Sequence, residues 1–158
     1  MKKILVLVFI MIMLLSTHSF KLAFGRDFSN DNAIYSFYIL GKSCEIKNAK
    51  IITNGNSSII KTKKKYANSV RKNVTNVMGE SMSFEGDKIK LSLIKEQFEA
   101  DYILDETIEN EIIIFSGFSK KYEKDLKKIV VDGQNINFQV AYNNGIITIG
   151  TPIILGDY

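Results

Sequence analysis

Short apolar runs separated by turn-forming residues dominate this sequence, and they confine it to a fold built largely on hairpins. Asn54-Gly55-Asn56, Gly86-Asp87 and Asn143-Asn144-Gly145 each stand between stretches rich in alternating apolar and polar residues. Residues 44–53 and 59–62 are expected as strands around the first turn. Residues 81–85 and 88–95 are expected as strands around the second, because Ile89, Leu91 and Leu93 alternate with Lys88, Lys90 and Ser92. Ile136, Phe138 and Val140 alternate before the third turn, and residues 146–149 return the chain. A further strand is expected over 98–104, followed by an acidic turn at 105–110. The uninterrupted run Ile112-Ile113-Ile114-Phe115 reads as a central strand covered on both faces.

Three helices are expected among these strands. The first runs from a Ser29 cap through Ile34, Phe37 and Tyr38 to Gly41. The second carries Tyr66, Val70, Val74, Val77 and Met78 on one face and Lys64, Lys65, Arg71 and Lys72 on the other, with Gly79 closing it. The third starts at Ser119, turns Tyr122, Leu126, Ile129 and Val130 inward, and ends at Asp132-Gly133. The whole predicts an α+β domain, a mainly antiparallel sheet with helices packed on one face. Lys64-Lys65-Tyr66 is echoed by Lys120-Lys121-Tyr122 in a similar order of elements. Two β-α-β-β halves are one reading of that echo, and chance likeness between two Lys-rich helices is the other.

The first 25 residues are of a different kind. Lys2 and Lys3 precede twelve apolar residues, 4–15, and then Ser16, Thr17, His18 and Ser19. That is the layout of a secretory signal peptide, with an apolar stretch too short to span a bilayer alone; an uncleaved N-terminal anchor is the alternative. Residues 26–158 are then a single domain, exported to the extracellular space or tethered to the outer face of the cytoplasmic membrane. Export alters the charge balance. The chain carries +4, but removing Lys2, Lys3 and Lys21 leaves 18 cations against 17 acids, so no global basic charge points to nucleic acid, and none is expected as a partner. One Cys cannot form an internal disulfide, so stability rests on the core.

Charge is uneven along the domain. Between Glu45 and Glu80 there are eight cations and no acid, whereas Glu96, Glu99, Asp101, Asp105, Glu106, Glu109 and Glu111 form an acidic run without a cation. Lys61, Lys63, Lys64, Lys65, Arg71 and Lys72 are the candidate binding residues, as a basic helix face that attracts an anionic wall polymer or lipid headgroups. Otherwise they form the solvated side of an amphipathic helix whose cations meet the acidic half of the fold. The acidic run could hold calcium, but it lacks the Asp-x-Asp-x-Asp-Gly loop pattern and reads instead as a wet strand edge and turn. With so many acids together, some pair will always suit glycosidase chemistry, so the pairing is uninformative. Cys44 reads as a small buried hydrophobe at the start of a strand. Gly117 before Ser119 could open backbone N–H groups to an anion at a helix start, or be ordinary turn chemistry. Tyr66 and Tyr122 read as core. No catalytic residue, metal site or cofactor is expected.

The order of elements, with the ending Gly145-Ile146-Ile147-Thr148-Ile149-Gly150-Thr151-Pro152-Ile153-Ile154, resembles the YwmB-like family of exported proteins from low-GC spore-forming bacteria. The resemblance covers most of residues 28–158. It implies a fold like that of the TATA-box-binding protein and no mechanism, and such a fold does not by itself confer DNA binding. The expectation is therefore a non-enzymatic binding or interaction domain of the cell envelope, linked through the resemblance to wall or sporulation processes. An envelope protein, or an anionic wall polymer or lipid, would be its partner. An envelope hydrolase is the alternative from another class.

Overall fold

The computed structural model describes residues 31–155 apart from 42, 44 and 110; Asp105 and Glu109 are described by their backbone alone. The leader, His18 and Cys44 lie outside the described residues. The chain runs β1 (Ile34–Leu40), β2 (Ala49–Asn54), β3 (Ser57–Lys63), α1 (Lys64–Lys72), β4 (Val77–Glu85), α2 (Lys88–Gln97), β5 (Tyr102–Glu109), β6 (Ile112–Phe118), a 3-10 turn (Lys120–Tyr122), β7 (Ile129–Val131), β8 (Gln134–Ile136), β9 (Phe138–Asn143) and β10 (Ile146–Thr151). Eight strands form one sheet in the order β2-β3-β1-β4-β10-β9-β6-β5, every neighbouring pair antiparallel, and β7-β8 is a separate small hairpin.

Strand register sorts the side chains onto two faces. Tyr35, Phe37, Ile60, Met82, Phe84, Phe115, Phe138, Val140, Ile147 and Ile149 line one face and form the core with Ala67 and Val70 of α1 and Leu91 and Ile94 of α2. Both helices lie on this face. Arg71 of α1 reaches Glu80 of β4 at 2.7 Å, and Lys90 and Lys95 of α2 lie over the rings of Phe84 and Phe115. Phe98, just after α2, stacks on Phe138 with centroids 4.0 Å apart, and Tyr122 meets Phe98 edge-on.

The α+β class, the antiparallel sheet and the single helical face are as expected, but several elements are not. The first expected helix is β1, an inner strand buried on both faces. Its Ile34, Phe37 and Tyr38 also satisfy helical spacing, and such a run cannot be assigned by periodicity alone. The expected strand over 88–95 is α2. Asp87 caps it by accepting a hydrogen bond from the Lys90 N–H at 2.8 Å, and Leu91, Ile94 and Phe98 turn inward at helical spacing while Ile89 stays 73 % exposed. The helix starting at Lys64 stops at Lys72, not at Gly79, because Val77 already belongs to β4.

The third expected helix is reduced to the 3-10 turn. Ser119 does not cap it: its hydroxyl donates inward to the Phe98 carbonyl at 2.5 Å. The Lys-Lys-Tyr echo thus opens a helix in one place and a single turn in the other, so two matching β-α-β-β halves are not formed. Asp132-Gly133 is a hairpin turn between β7 and β8, and Asn144-Gly145 turns β9 into β10. All four residues have positive φ, the geometry that suits a two-residue hairpin loop and that glycine adopts without strain. The expected acidic turn at 105–110 is mostly strand, because β5 runs through it to Glu109. β6 is next to the edge rather than central, and Ile112, Ile113 and Ile114 are only half-buried.

Candidate functional site

The face of the sheet opposite the helices is organised in rows that cross the strands. Register places Lys50 opposite Lys61, Lys61 opposite Ser36, Ser36 opposite Ser81, Ser81 opposite Gly150, Gly150 opposite Gln139, and Gln139 opposite Ser116. A second row, beside it, joins Lys63 through Ile34 and Ser83 to Thr148. Small side chains in the middle of both rows leave a cavity of about 510 Å³. Its floor is made of hydroxyls: Tyr38 Oη lies 3.0 Å from Ser81 Oγ, and Ser83 Oγ lies 2.9 Å from Thr148 Oγ1. Its rim on the β2-β3 side carries Lys50, Lys61 and Lys63, and no carboxylate among the described residues lines it. The ion pairs found among the described residues join Arg71 to Glu80, Lys95 to Glu106, Lys121 to Glu99 and Lys128 to Glu123, all outside the cavity. Three ammonium groups above a bed of hydroxyls form a site whose chemistry suits an anion, since hydroxyls can donate while the lysines supply charge.

One row further along the same face the character changes. Ile52 pairs with Ile59, Ile59 with Tyr38, and Tyr38 with Gly79. A register shift between Tyr38 and Ile39 adds a residue to β4 here, and Met78 at that bulge lines the surface. After β10 the chain folds back over this face. The Gln139 amide oxygen accepts from the Ile154 N–H at 3.0 Å, and a Cβ at Gly150 would sit 2.7 Å from Ile154, so only glycine leaves room for the segment. Leu155 Cδ1 comes to 3.4 Å from where a Gly79 Cβ would stand. Leu40, Ile52, Ile59, Met78 and Leu155 with the Tyr38 ring thereby line a second cavity of about 500 Å³, and Tyr38 and Lys61 belong to both cavities.

The six basic residues expected as one helix face are divided between two sides of the sheet. Lys61 and Lys63 stand on the open face, beside the cavity. Lys64 and Lys65 open α1, with Lys65 Nζ 4.8 Å from the centre of the Tyr66 ring; Arg71 is engaged by Glu80, and Lys72 is exposed in the last turn. Lys50 and the hydroxyls of Ser36, Tyr38, Ser81, Ser83 and Thr148 were not among the expected site residues. Ser36 could have been found by reading 34–40 as a strand, in which a serine and a tyrosine hydroxyl share one face. Ser83 and Thr148 come together only through the β4-β10 pairing, far apart in sequence.

The other candidates resolve into structure. Gly117 sits inside β6, not at a helix start. Tyr66 and Tyr122 pack against the core. Asp101 accepts the Lys120 N–H at 2.6 Å, while Glu99 and Glu106 pair with lysines; among the described residues no cluster of His, Cys, Asp or Glu could hold a metal ion. Among the same residues no helix is long and apolar enough to cross a membrane. No family model matches the chain, and no match was found among curated proteins or solved structures.

Proposed function

We propose that this chain is a non-enzymatic binding domain of the cell envelope, exported on its leader, and that it holds phosphate-type anions on the open face of its sheet. The observation that carries the reading is the cavity rimmed by Lys50, Lys61 and Lys63 with hydroxyls beneath and no carboxylate among the described residues of its lining. Lysines gathered at one place raise the local concentration of anions and hold them by summed Coulomb attraction. The layout of residues 1–25 supports export, and the resemblance to YwmB-like exported proteins agrees with an envelope role. The binding surface is the sheet and not the helix, which distinguishes this reading from a basic amphipathic helix lying on a polyanion.

Titration of the protein with a poly(glycerol phosphate) oligomer tests it. Binding is expected at low salt and is expected to weaken strongly between about 20 and 150 mM as screening shortens the reach of the charges. Replacing Lys50, Lys61 and Lys63 by Ser together is expected to lower affinity at least tenfold, and replacing Lys64, Lys65 and Lys72 by Ser to change it less than threefold. Absence of binding at low salt, or loss through the helix variant instead, overturns the proposal.

A further inference from the structure

The two cavities of the open face share Tyr38 and Lys61, and their linings differ: lysines and hydroxyls gather in one, whereas Leu40, Ile52, Ile59, Met78 and Leu155 make most of the other, with Asn54, Ser57 and Ser58 beside them. We infer that the ligand is an anionic amphiphile, a phosphate-bearing lipid whose headgroup sits among Lys50, Lys61 and Lys63 and whose hydrocarbon lies against Ile52, Met78 and Leu155. The inference rests on the anion-binding reading above and adds the hydrocarbon half.

Three observations carry it. First, Tyr38 and Lys61 line both cavities, so a molecule filling the cationic one reaches the apolar one without crossing the protein. Tyr38 is the boundary: its hydroxyl bonds to Ser81 on the polar side, while its place in the strand lies between Ile59 and Gly79 in the apolar row. Second, Ile52, Met78 and Leu155 are exposed, at 39 %, 49 % and 37 %, and they converge from β2, from the bulge of β4 and from the segment after β10. Scattered exposed apolar residues need no explanation, but three from separate elements lining one cavity form a patch, and such patches mark binding sites. Third, the lysines stand beside that patch with no carboxylate among the described residues of either lining, so charge complementarity selects an anionic amphiphile over a neutral or cationic one. A lysine stem adds to the fit, since its methylenes can lie along hydrocarbon while the ammonium meets phosphate.

Binding of monomeric short-chain lipids separates the halves of the ligand. Dihexanoyl phosphatidylglycerol, below its micelle concentration, is expected to bind at least tenfold more tightly than glycerophosphoglycerol, the same headgroup without chains. Each methylene taken out of water is worth about fourfold in affinity. Dihexanoyl phosphatidylcholine, whose headgroup carries a compensating cation, is expected to bind at least tenfold more weakly than the phosphatidylglycerol. The double variant Ile52→Ser, Met78→Ser is expected to remove the advantage of the chains and leave affinity for glycerophosphoglycerol within twofold, which also shows that the variant is folded. Equal affinity for lipid and headgroup overturns the lipid inference and leaves the anion-binding reading standing. No binding of any of the three overturns both. Equal binding of the two lipids, unaffected by Lys50→Ser, Lys61→Ser and Lys63→Ser, also overturns the inference, because the site would then be merely apolar.

Discussion

Lys50 and Lys61 stand directly opposite each other on the β2-β3 hairpin, two like charges on one face of adjacent strands. Directly opposed like charges destabilise an antiparallel pair by a few tenths to about 1 kcal/mol. That arrangement does nothing for stability, and it suits the anion binding proposed above. Lys50→Glu is therefore expected to raise unfolding stability by about 0.5 kcal/mol while weakening poly(glycerol phosphate) binding. Urea denaturation and titration on the same variant check both signs, and a loss in stability would show that the repulsion is relieved some other way.

Asn137 holds together two segments that the sequence keeps apart. It is fully buried between β8 and β9, where its Oδ1 accepts the Ser119 N–H at 2.9 Å and its Nδ2 donates to the Ser119 carbonyl at 2.8 Å. Asn137→Leu removes both bonds and leaves the Ser119 N–H and carbonyl without those partners, each a penalty of about 1–3 kcal/mol. A total loss of about 3 kcal/mol in urea denaturation is expected. A loss below about 0.5 kcal/mol would mean that water or a local shift replaces both bonds.

Gly117 is pinned between backbone and ring. A Cβ there would stand 2.5 Å from the Tyr102 carbonyl oxygen and 2.9 Å from Phe138 Cζ. The carbonyl belongs to the neighbouring strand and the ring is stacked on Phe98, so neither can retreat without loosening the β5-β6 pair or the aromatic cluster. Gly117→Ala is expected to destabilise by about 1–3 kcal/mol, the range for overpacking a filled interior. Thermal unfolding measures it, and an unchanged melting temperature would contradict the packing described.

Lys121 supplies the pH-dependent contribution. The hydrogen bond from its ammonium to Glu99, at 2.5 Å, holds its pKa above the ordinary lysine value of 10.5; slight desolvation works against this, and the charges of Tyr122 and Glu99 add to it. A pKa raised in the folded state gives stability that is fully present below the unfolded value and disappears as pH rises through the folded one. No change from this pair is therefore expected between about pH 6 and 9, with loss only in strongly alkaline solution. NMR titration of the Lys121 side chain checks the direction, and Glu99→Gln is expected to return it towards 10.5.

Two of the three expected hairpins were legible in the sequence; the one around Gly86-Asp87 is instead the entry to a helix. Gly55-Asn56 and Asn144-Gly145 carry their turn geometry in the residues themselves, and β2-β3 and β9-β10 form around them. Where two periods coexist, local reading fails. Ile34, Phe37 and Tyr38 fit a helix as well as a strand, and β1 is decided by partners on both sides, β3 and β4, distant in sequence. Residues 88–95 alternate like a strand, yet the Asp87 cap and the inward trio Leu91, Ile94 and Phe98 prevail because burying that trio against Phe84 and Phe115 has no equivalent in an added strand. The candidate site divides in the same way. Lys61 and Lys63 were visible as charge, whereas the hydroxyl floor exists only once β1, β4 and β10 lie side by side.

The crossing rows tie recognition to registration. Because alternate residues face opposite sides of the sheet, sliding β2 or β3 by a single position would turn lysines towards the helices and Ile51 or Ile60 into water. On the proposed reading, a molecule that holds an anion at this site has, by that fact, already chosen the right alignment of its strands. Ligand capture can therefore serve as a readout of correct folding.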